Sequence, residues 1–124
     1  MLKHLLIILT IAMTCAGSAR AQDTAAPFDN DLQRMSEILG ALHYLRGICG
    51  NNEGNKWRSE MQALVDAETP SGERRARMIA AFNRGYNGFQ QTYRTCTPAA
   101  MTAVRRHVEE GARISRDLTA RYAN

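Results

Sequence analysis

The chain has few aromatic residues, few prolines and almost no lysine. Aromatic side chains make up 6% of its 124 residues, and there are three prolines. Apolar residues make up 44% and charged residues 23%, which excludes disordered, collagen-like and low-complexity proteins. The length allows one compact domain and leaves no room for a second core.

The sequence also lacks the short motifs of common active sites. It contains no Cys-x-x-Cys pair, no phosphate-binding glycine loop with its lysine and no Gly-x-Ser-x-Gly motif. His43 and His107 show no spacing typical of a zinc site. His107 and Glu110 could lie on one helical face, but a di-iron bundle needs further carboxylates that point inward, and Glu37 is the one candidate for such a carboxylate. We therefore expect no metal, no cofactor and no catalytic residue.

The N-terminal region has the three parts of an export signal. Lys3 gives a positive start, residues 5–16 are apolar, and a small-x-small motif ends at Ala21. We expect cleavage before Gln22, which makes residues 1–21 a signal peptide and the protein periplasmic or secreted. The apolar stretch is shorter than a membrane-spanning helix, so we expect no stable membrane anchor after cleavage.

Cleavage would remove Cys15 and leave Cys49 and Cys96 as an even pair. Two alternatives stay open for the N-terminal region, a retained anchor and a lipoprotein acylated at Cys15. In an oxidising compartment the remaining pair is most simply a disulfide. It would close a loop of about 47 residues and contribute about 4 kcal/mol in the chain-entropy model.

The charge gives a weak indication of the partner. The net charge of +4 falls to about +2 without the signal peptide, which is too small to indicate nucleic acid. Of the 14 basic residues that remain, 13 are arginines, which suit carboxylates and phosphates. A GC-rich genome explains this bias more simply. The arginine runs at 73–77 and 105–106 are expected to be solvated, unless they converge on one face.

Apolar residues recur at three- and four-residue steps, and no segment alternates as a strand does. This pattern predicts four helices: one capped by Asp29 or Asn30, one over about 55–68, and two that start at Thr69-Pro70 and Thr97-Pro98. The face predicted to be buried in the third helix is Met78, Ile79, Phe82, Tyr86, Phe89 and Tyr93. In the fourth helix it is Met101, Val104, Val108, Ala112, Ser115, Leu118 and Tyr122.

The predicted fold is all-α, a small four-helix up-down bundle stapled by one disulfide, with residues 22–30 as a flexible tail and 31–124 as the helical domain. In such a bundle the first and third helices run parallel, which brings Cys49 and Cys96 to the same end. Diagonal helices of a square bundle lie too far apart for a disulfide. We therefore expect the short second helix to let the first and third approach, or the bridge to lie in their frayed ends.

Residues 82–96 combine four aromatic side chains with two glycines in one predicted helix. Each glycine costs about 1 kcal/mol relative to alanine, so some contact should offset it. One interpretation is close approach of a neighbouring helix or of the Trp57 ring, with Gly40 and Gly111 as matching small positions. The other is a groove for a peptide, glycan or anionic ligand. Its predicted lining is Trp57, Tyr86, Gln90, Tyr93 and Arg94.

Three segments carry a wider resemblance: SEILGALHYLR (36–46), FNRGY (82–86) and TYRTCTPAA (92–100). They resemble a family of small exported alphaproteobacterial proteins classed only as a domain of unknown function. The resemblance covers about residues 32–122 and implies a bacterial, exported, helical protein. It implies no activity and no catalytic residues.

The leading hypothesis is an exported periplasmic helical module that is not an enzyme and binds an envelope protein or an anionic envelope polymer. A periplasmic stress or acid chaperone is one alternative, suggested by small size, helices, a disulfide and the compartment. A small envelope-modifying enzyme is another, and it requires His43, His107, Glu37 and Glu110 to converge.

Overall fold

The computed structural model describes residues 27–50, 53–68 and 72–122. Within these ranges the chain forms four α-helices and no strand: α1 (Asp29–Ile48), α2 (Lys56–Glu68), α3 (Gly72–Thr92) and α4 (Pro98–Tyr122). The all-α, four-helix up-down bundle with one disulfide is therefore confirmed. The predicted signal peptide, its cleavage site, Cys15 and the Thr69-Pro70 start lie outside the described residues.

α1 begins at Asp29, and the prediction that Asp29 or Asn30 caps it was wrong. The cap position is Phe28, which makes no side-chain capping hydrogen bond. Asp29 is instead buried in the first turn, with its Oδ1 2.8 Å from Nε of Arg74 near the start of α3. This carboxylate faces the positive end of the helix dipole, and the ion pair joins the first turns of the two helices.

α1 is the central helix and packs against each of the other three. Ser36, Ala41 and Leu45 are fully buried along it, and the Ser36 hydroxyl donates a 2.7 Å hydrogen bond to the Leu32 carbonyl. Two core clusters form on its two sides. One contains Ile38, Leu42 and Leu45 with Ala100, Val104 and Ile114 of α4, and the other contains Leu39 with Met61, Val65 and Met78 of α2 and α3.

α1 and α3 run parallel and touch through their backbones. A Cβ atom on Gly40 would lie 2.7 Å from the carbonyl carbon of Phe82, and one on Gly85 would lie 2.9 Å from that of Glu37. Only glycine allows this approach, because a Cβ atom at either position would overlap the facing helix. The predicted close contact is thus confirmed at Gly40 and Gly85. A Cβ atom on Gly88 would meet open space, so packing does not explain that glycine.

The contact between α1 and α3 also brings the two cysteines together. Cys49 follows α1 and Cys96 precedes α4, and they form a disulfide with their Cα atoms 4.8 Å apart. Close by, the Tyr44 hydroxyl donates a hydrogen bond to the backbone carbonyl of Tyr93. The bridge is possible because α1 and α3 are direct neighbours and because both cysteines lie just beyond the ends of these helices, so the structure combines the two arrangements expected.

The buried face of α3 combines one large side chain, Met78, with the small residues Ala81 and Gly85. Ile79, which was predicted to point inward, is 41% exposed. Backbone contact at Gly85 leaves no space for a large side chain there. The aromatic side chains of α3 are therefore half-buried at the margins of the contact.

α4 begins at the predicted Thr97-Pro98 signal. The Thr97 hydroxyl oxygen accepts a 3.1 Å hydrogen bond from the amide of Ala100, which satisfies one of the free amides of the first turn. Gly111 is the second predicted small position. A Cβ atom there would lie 3.4 Å from Cγ2 of Ile38, so this contact with α1 is close but less tight than the glycine contacts of α3.

The predicted buried face of α4 was wrong at four positions, because Ala112 and Ser115 are exposed as well as Met101 and Val108. Met101 and Val108 are 41% and 45% exposed, whereas Ala100, Val104 and Ile114 are buried. The backbone of α4 approaches only α1 within the described ranges, and Ala100, Val104 and Ile114 supply its buried side chains in the cluster that it shares with α1. The prediction followed the larger apolar side chains Met101 and Val108. It therefore placed the buried face of α4 about one residue away from its observed position.

Candidate functional site

A cleft of about 440 Å³ lies between α1, α2 and α3. Its volume is in the range of small-molecule binding sites. The lining is His43 of α1, Arg58, Met61, Gln62 and Val65 of α2, and Arg75, Ile79, Phe82, Asn83 and Tyr86 of α3. Met61 and Val65 are buried, whereas both arginines are exposed, so the cleft joins an apolar interior to a positively charged margin.

The two arginines of the cleft, Arg58 and Arg75, face no compensating charge within it. No lining residue carries a carboxylate, and neither arginine forms an ion pair with a described residue. Other arginines do pair with carboxylates, namely Arg34, Arg46, Arg74, Arg77 and Arg84. The cleft therefore has two uncompensated guanidinium groups, which favour an anionic ligand.

His43 lines the cleft beside two aromatic rings of α3. Its ring centroid lies 5.9 Å from that of Phe82 and 5.6 Å from that of Tyr86. Its Nδ1 atom is buried and has no hydrogen-bond partner among the described atoms. Burial, and then the positive charge of Arg58, lower the pKa of His43 below its ordinary value of 6.5. The imidazole is therefore neutral at neutral pH.

This arrangement can bind an anionic ligand. The guanidinium groups can hold a carboxylate or a phosphate, Asn83 adds a side-chain amide, and Phe82 and Tyr86 offer aromatic surface. Among the lining residues, His43 is the one side chain whose ordinary pKa lies near neutral pH. The lining contains no serine, cysteine or carboxylate that could act with it as a nucleophile or acid–base partner.

Four of the five residues predicted to line a groove belong to α3 and its end, and they lie in different surroundings. Tyr86 lines the cleft. Tyr93 stacks on Phe89, with ring centroids 6.2 Å apart, and lines a separate depression beside α4. Gln90 and Arg94 are exposed. The cleft thus shares one of these four residues with the predicted groove.

The fifth residue, Trp57, packs in the core at the start of α2. Its ring contacts both core clusters, and its indole N–H donates a 3.0 Å hydrogen bond to the Glu53 carboxylate. Arg46 Nε donates to the same carboxylate at 2.8 Å. The hydrogen bond from Arg46, helped by that from Trp57, lowers the pKa of Glu53 to about 2. Glu53 therefore ties the end of α1 to the start of α2.

The remaining candidates for chemistry form ion pairs and helix contacts. Arg34 bridges two carboxylates, with Nε 2.7 Å from Glu110 and Nη1 3.3 Å from Glu37. The hydrogen bond from Arg34 lowers the pKa of Glu110. His107 Nδ1 lies 2.7 Å from the backbone carbonyl of Ala103. In the described part of the chain, no three His, Cys, Asp or Glu residues are grouped so that they could hold a metal ion.

The arginine run at 73–77 does not form one basic face. Arg74 pairs with Asp29 and Arg77 with Glu73, so Arg75 is the member that borders the cleft. Arg58 and His43 were not among the residues predicted to line a groove. One sequence pattern could have indicated the two arginines of the cleft: on two helices an arginine precedes an apolar residue by one turn. These pairs are Arg58 with Met61 and Arg75 with Ile79.

Two findings bear on location. The Cys49–Cys96 disulfide is compatible with a place outside the reducing cytosol. Within the described residues, no helix combines the length and the apolar character that a membrane span requires.

Comparison with known proteins identifies a family. No curated protein and no solved structure matches the chain significantly. One family model matches residues 27–122, a range that contains all four helices and the cleft. This confirms the resemblance to a family without known function. The chain therefore belongs to the family described as "Protein of unknown function (DUF2385)".

Proposed function

We propose that the chain is an exported binding protein of the bacterial cell envelope that is not an enzyme and holds an anionic ligand in the cleft between α1, α2 and α3. The observation that carries this proposal is the pair Arg58 and Arg75 on a cleft with no carboxylate in its lining. The ligand carries a carboxylate or phosphate next to an apolar or aromatic part. The charged group binds the guanidinium groups, and the apolar part packs on Phe82 and Tyr86.

The α3 wall of the cleft is held in place by the close backbone contact between α1 and α3. Phe82 and Tyr86 lie on the stretch of α3 that touches α1 through Gly40 and Gly85. A rigid wall supports affinity, because little conformational freedom is lost when the ligand binds. The site is therefore preorganised on the α1–α3 side. The exposed side chains of Arg58 and Arg75 can change conformation to fit the ligand.

The proposed location is the periplasm. The export signal pattern and the disulfide support this location, because the periplasm is oxidising and structural disulfides persist there. An anionic envelope polymer and an acidic segment of an envelope protein both present the ligand chemistry proposed. Affinity purification from periplasm with wild-type protein and with the double variant described next would identify which of them is retained.

The proposal is tested with anilinonaphthalene sulfonate, an aromatic anion whose fluorescence rises on binding. Wild-type protein, purified after secretion and without reductant, should bind this probe. The double variant Arg58→Gln, Arg75→Gln should bind it at least about tenfold more weakly, because both charge-assisted hydrogen bonds are removed. The uncharged phenylnaphthylamine should bind both proteins with similar affinity.

Arg94→Gln is the matched control, because Arg94 is exposed and lies outside the cleft lining. Arg113→Gln of α4 is a second exposed control. Both should bind the sulfonate as wild type does, and circular dichroism should show equal helix content in all variants. Loss of binding in Arg94→Gln but not in the double variant would assign the ligand to the surface around Tyr93 and overturn the cleft proposal.

A further inference from the structure

A second groove runs along α1 on the side where α2 and α4 flank it. We call it the α2–α4 groove. One end has a volume of about 490 Å³ and lies between Leu64 of α2 and Leu118 of α4. The other end, of about 120 Å³, lies between Trp57 of α2 and Val108 of α4. Met35 of α1 lines both ends, so the two depressions are neighbours along α1.

The walls of the α2–α4 groove do not close over its floor. In the described ranges, no Cα atom of α2 lies within 8 Å of one of α4. Val108 is 45% exposed on the α4 wall, and Ala112 and Ser115, which follow it at helical spacing, are exposed as well. The groove therefore has the form that accepts an amphipathic helix.

The two walls carry charges of opposite sign. On α2, Glu68 lines the groove and Glu60 follows Trp57 by one turn. On α4, Arg105 precedes Val108 by one turn and Arg116 follows Ala112 by one turn. Lys56 on α2 and Glu109 on α4 reduce these charges without reversing them, so the α2 wall stays acidic and the α4 wall basic. None of Glu60, Glu68, Arg105 and Arg116 forms an ion pair with a described residue. A helix that fits the groove must therefore present basic residues to α2.

We propose that a second copy of this chain occupies the groove, with α4 of each copy lying between α2 and α4 of the other. α4 supplies the required helix, because it combines an exposed apolar stripe with Arg105 and Arg116 beside it. A two-fold axis fills both grooves at once, because each copy inserts its α4 into the groove of the other. The small residues Ala112 and Ser115 allow the two α4 helices to cross closely.

The charges also set the direction of packing. Glu68 lies at the end of the groove lined by Thr119, whereas Arg105 lies beyond Val108 at the opposite end. If the two α4 helices cross antiparallel, Arg105 of one copy meets Glu68 of the other, and the pair forms twice. A parallel crossing would not bring these residues together.

Sedimentation velocity of the secreted protein over a range of concentrations tests the dimer. A reversible monomer–dimer equilibrium is expected in the wild type. Val108→Arg should leave only monomer, because it places a charge in the middle of the apolar stripe. Ile79→Arg is the control, since Ile79 is similarly exposed, at 41%, and lies in the other cleft. This variant should dimerise as wild type does.

A charge swap tests the pairing of Arg105 with Glu68. Glu68→Arg or Arg105→Glu alone should raise the dimer dissociation constant about tenfold, and the double variant should restore it. Wild type that stays monomeric at millimolar concentration overturns the proposal, as does a dimer that Val108→Arg does not weaken. A monomer that binds a foreign basic amphipathic helix overturns it too. The readout is independent of ligand binding, so it is separate from the proposed function.

Discussion

Gly40 of α1 and Gly85 of α3 lie opposite each other where the two helices touch, and each faces a backbone carbonyl of the other helix. This crossing explains why a glycine-containing helix is stable here. The loss in helix propensity is offset by backbone contact that any side chain would prevent. It also makes α1 and α3 direct neighbours, which the disulfide requires.

Gly85→Ala should destabilise the protein by about 3 kcal/mol, because its Cβ atom would overlap the carbonyl of Glu37. Gly88→Ala, one turn later in the same helix, is the matched control. A Cβ atom there meets open space and φ is not positive, so alanine should stabilise the helix by about 0.5–1 kcal/mol. Urea denaturation measures both free energies of unfolding. Equal effects of the two substitutions would contradict the assigned contact.

Reduction of the disulfide, or Cys49→Ser with Cys96→Ser, should lower the free energy of unfolding. The bridge joins residues 47 positions apart, and the chain-entropy model gives about 4 kcal/mol for such a loop. Denatured, non-reduced protein without its signal peptide should show no free thiol in a thiol titration. Two reactive thiols in that material would refute the bridge.

Acid should weaken the link between α1 and α2. The pKa of Glu53 is lowered to about 2 by Arg46, so its carboxylate stabilises the folded state above the ordinary value of 4.5. This contribution should be lost progressively as the pH falls from 4.5 to about 2. Glu53→Gln should flatten the fall in stability over that interval, as measured by urea denaturation at each pH. Glu109→Gln is the matched control, because Glu109 is exposed and forms no ion pair with a described residue.

The imidazole of His43 should titrate below 6.5 in an NMR pH titration. Burial is the larger cause and the charge of Arg58 the second, so Arg58→Gln should raise the pKa of His43 part of the way towards 6.5. Arg75→Gln is the control and should leave it near the wild-type value. An unchanged pKa in Arg58→Gln would show that this arginine does not face His43.

Much of the fold could be predicted because local signals agree with tertiary structure. Neighbouring residues alone predict the start of α4 at Thr97-Pro98 and the span of α2. The disulfide was predicted from the number of cysteines that remain without the signal peptide. The buried faces of α3 and α4 could not be read from large apolar residues. α3 approaches α1 at Gly85, and α4 buries Ala100, Val104 and Ile114, so Ile79 and Val108 remain exposed.

The candidate site was harder to predict, because it depends on which charges are paired. In sequence, Arg74, Arg75 and Arg77 are equivalent members of one basic run. In the structure, Asp29 pairs with the first and Glu73 with the third, and Arg75 alone borders the cleft. The partner of Arg74 lies 45 positions away in the chain, and no local pattern carries that information.

The parallel pairing of α1 with α3 has a consequence for the order of folding. Their contact joins positions about 45 residues apart, so the chain must close a long loop around α2 before its largest interface forms. The adjacent helices α2 and α3 contact each other little and cannot provide a stable hairpin first. Folding should therefore be slow for a helical protein of this size. Cys49 and Cys96 meet only after α1 and α3 have paired, so the disulfide fixes a topology that the glycine contact has already selected.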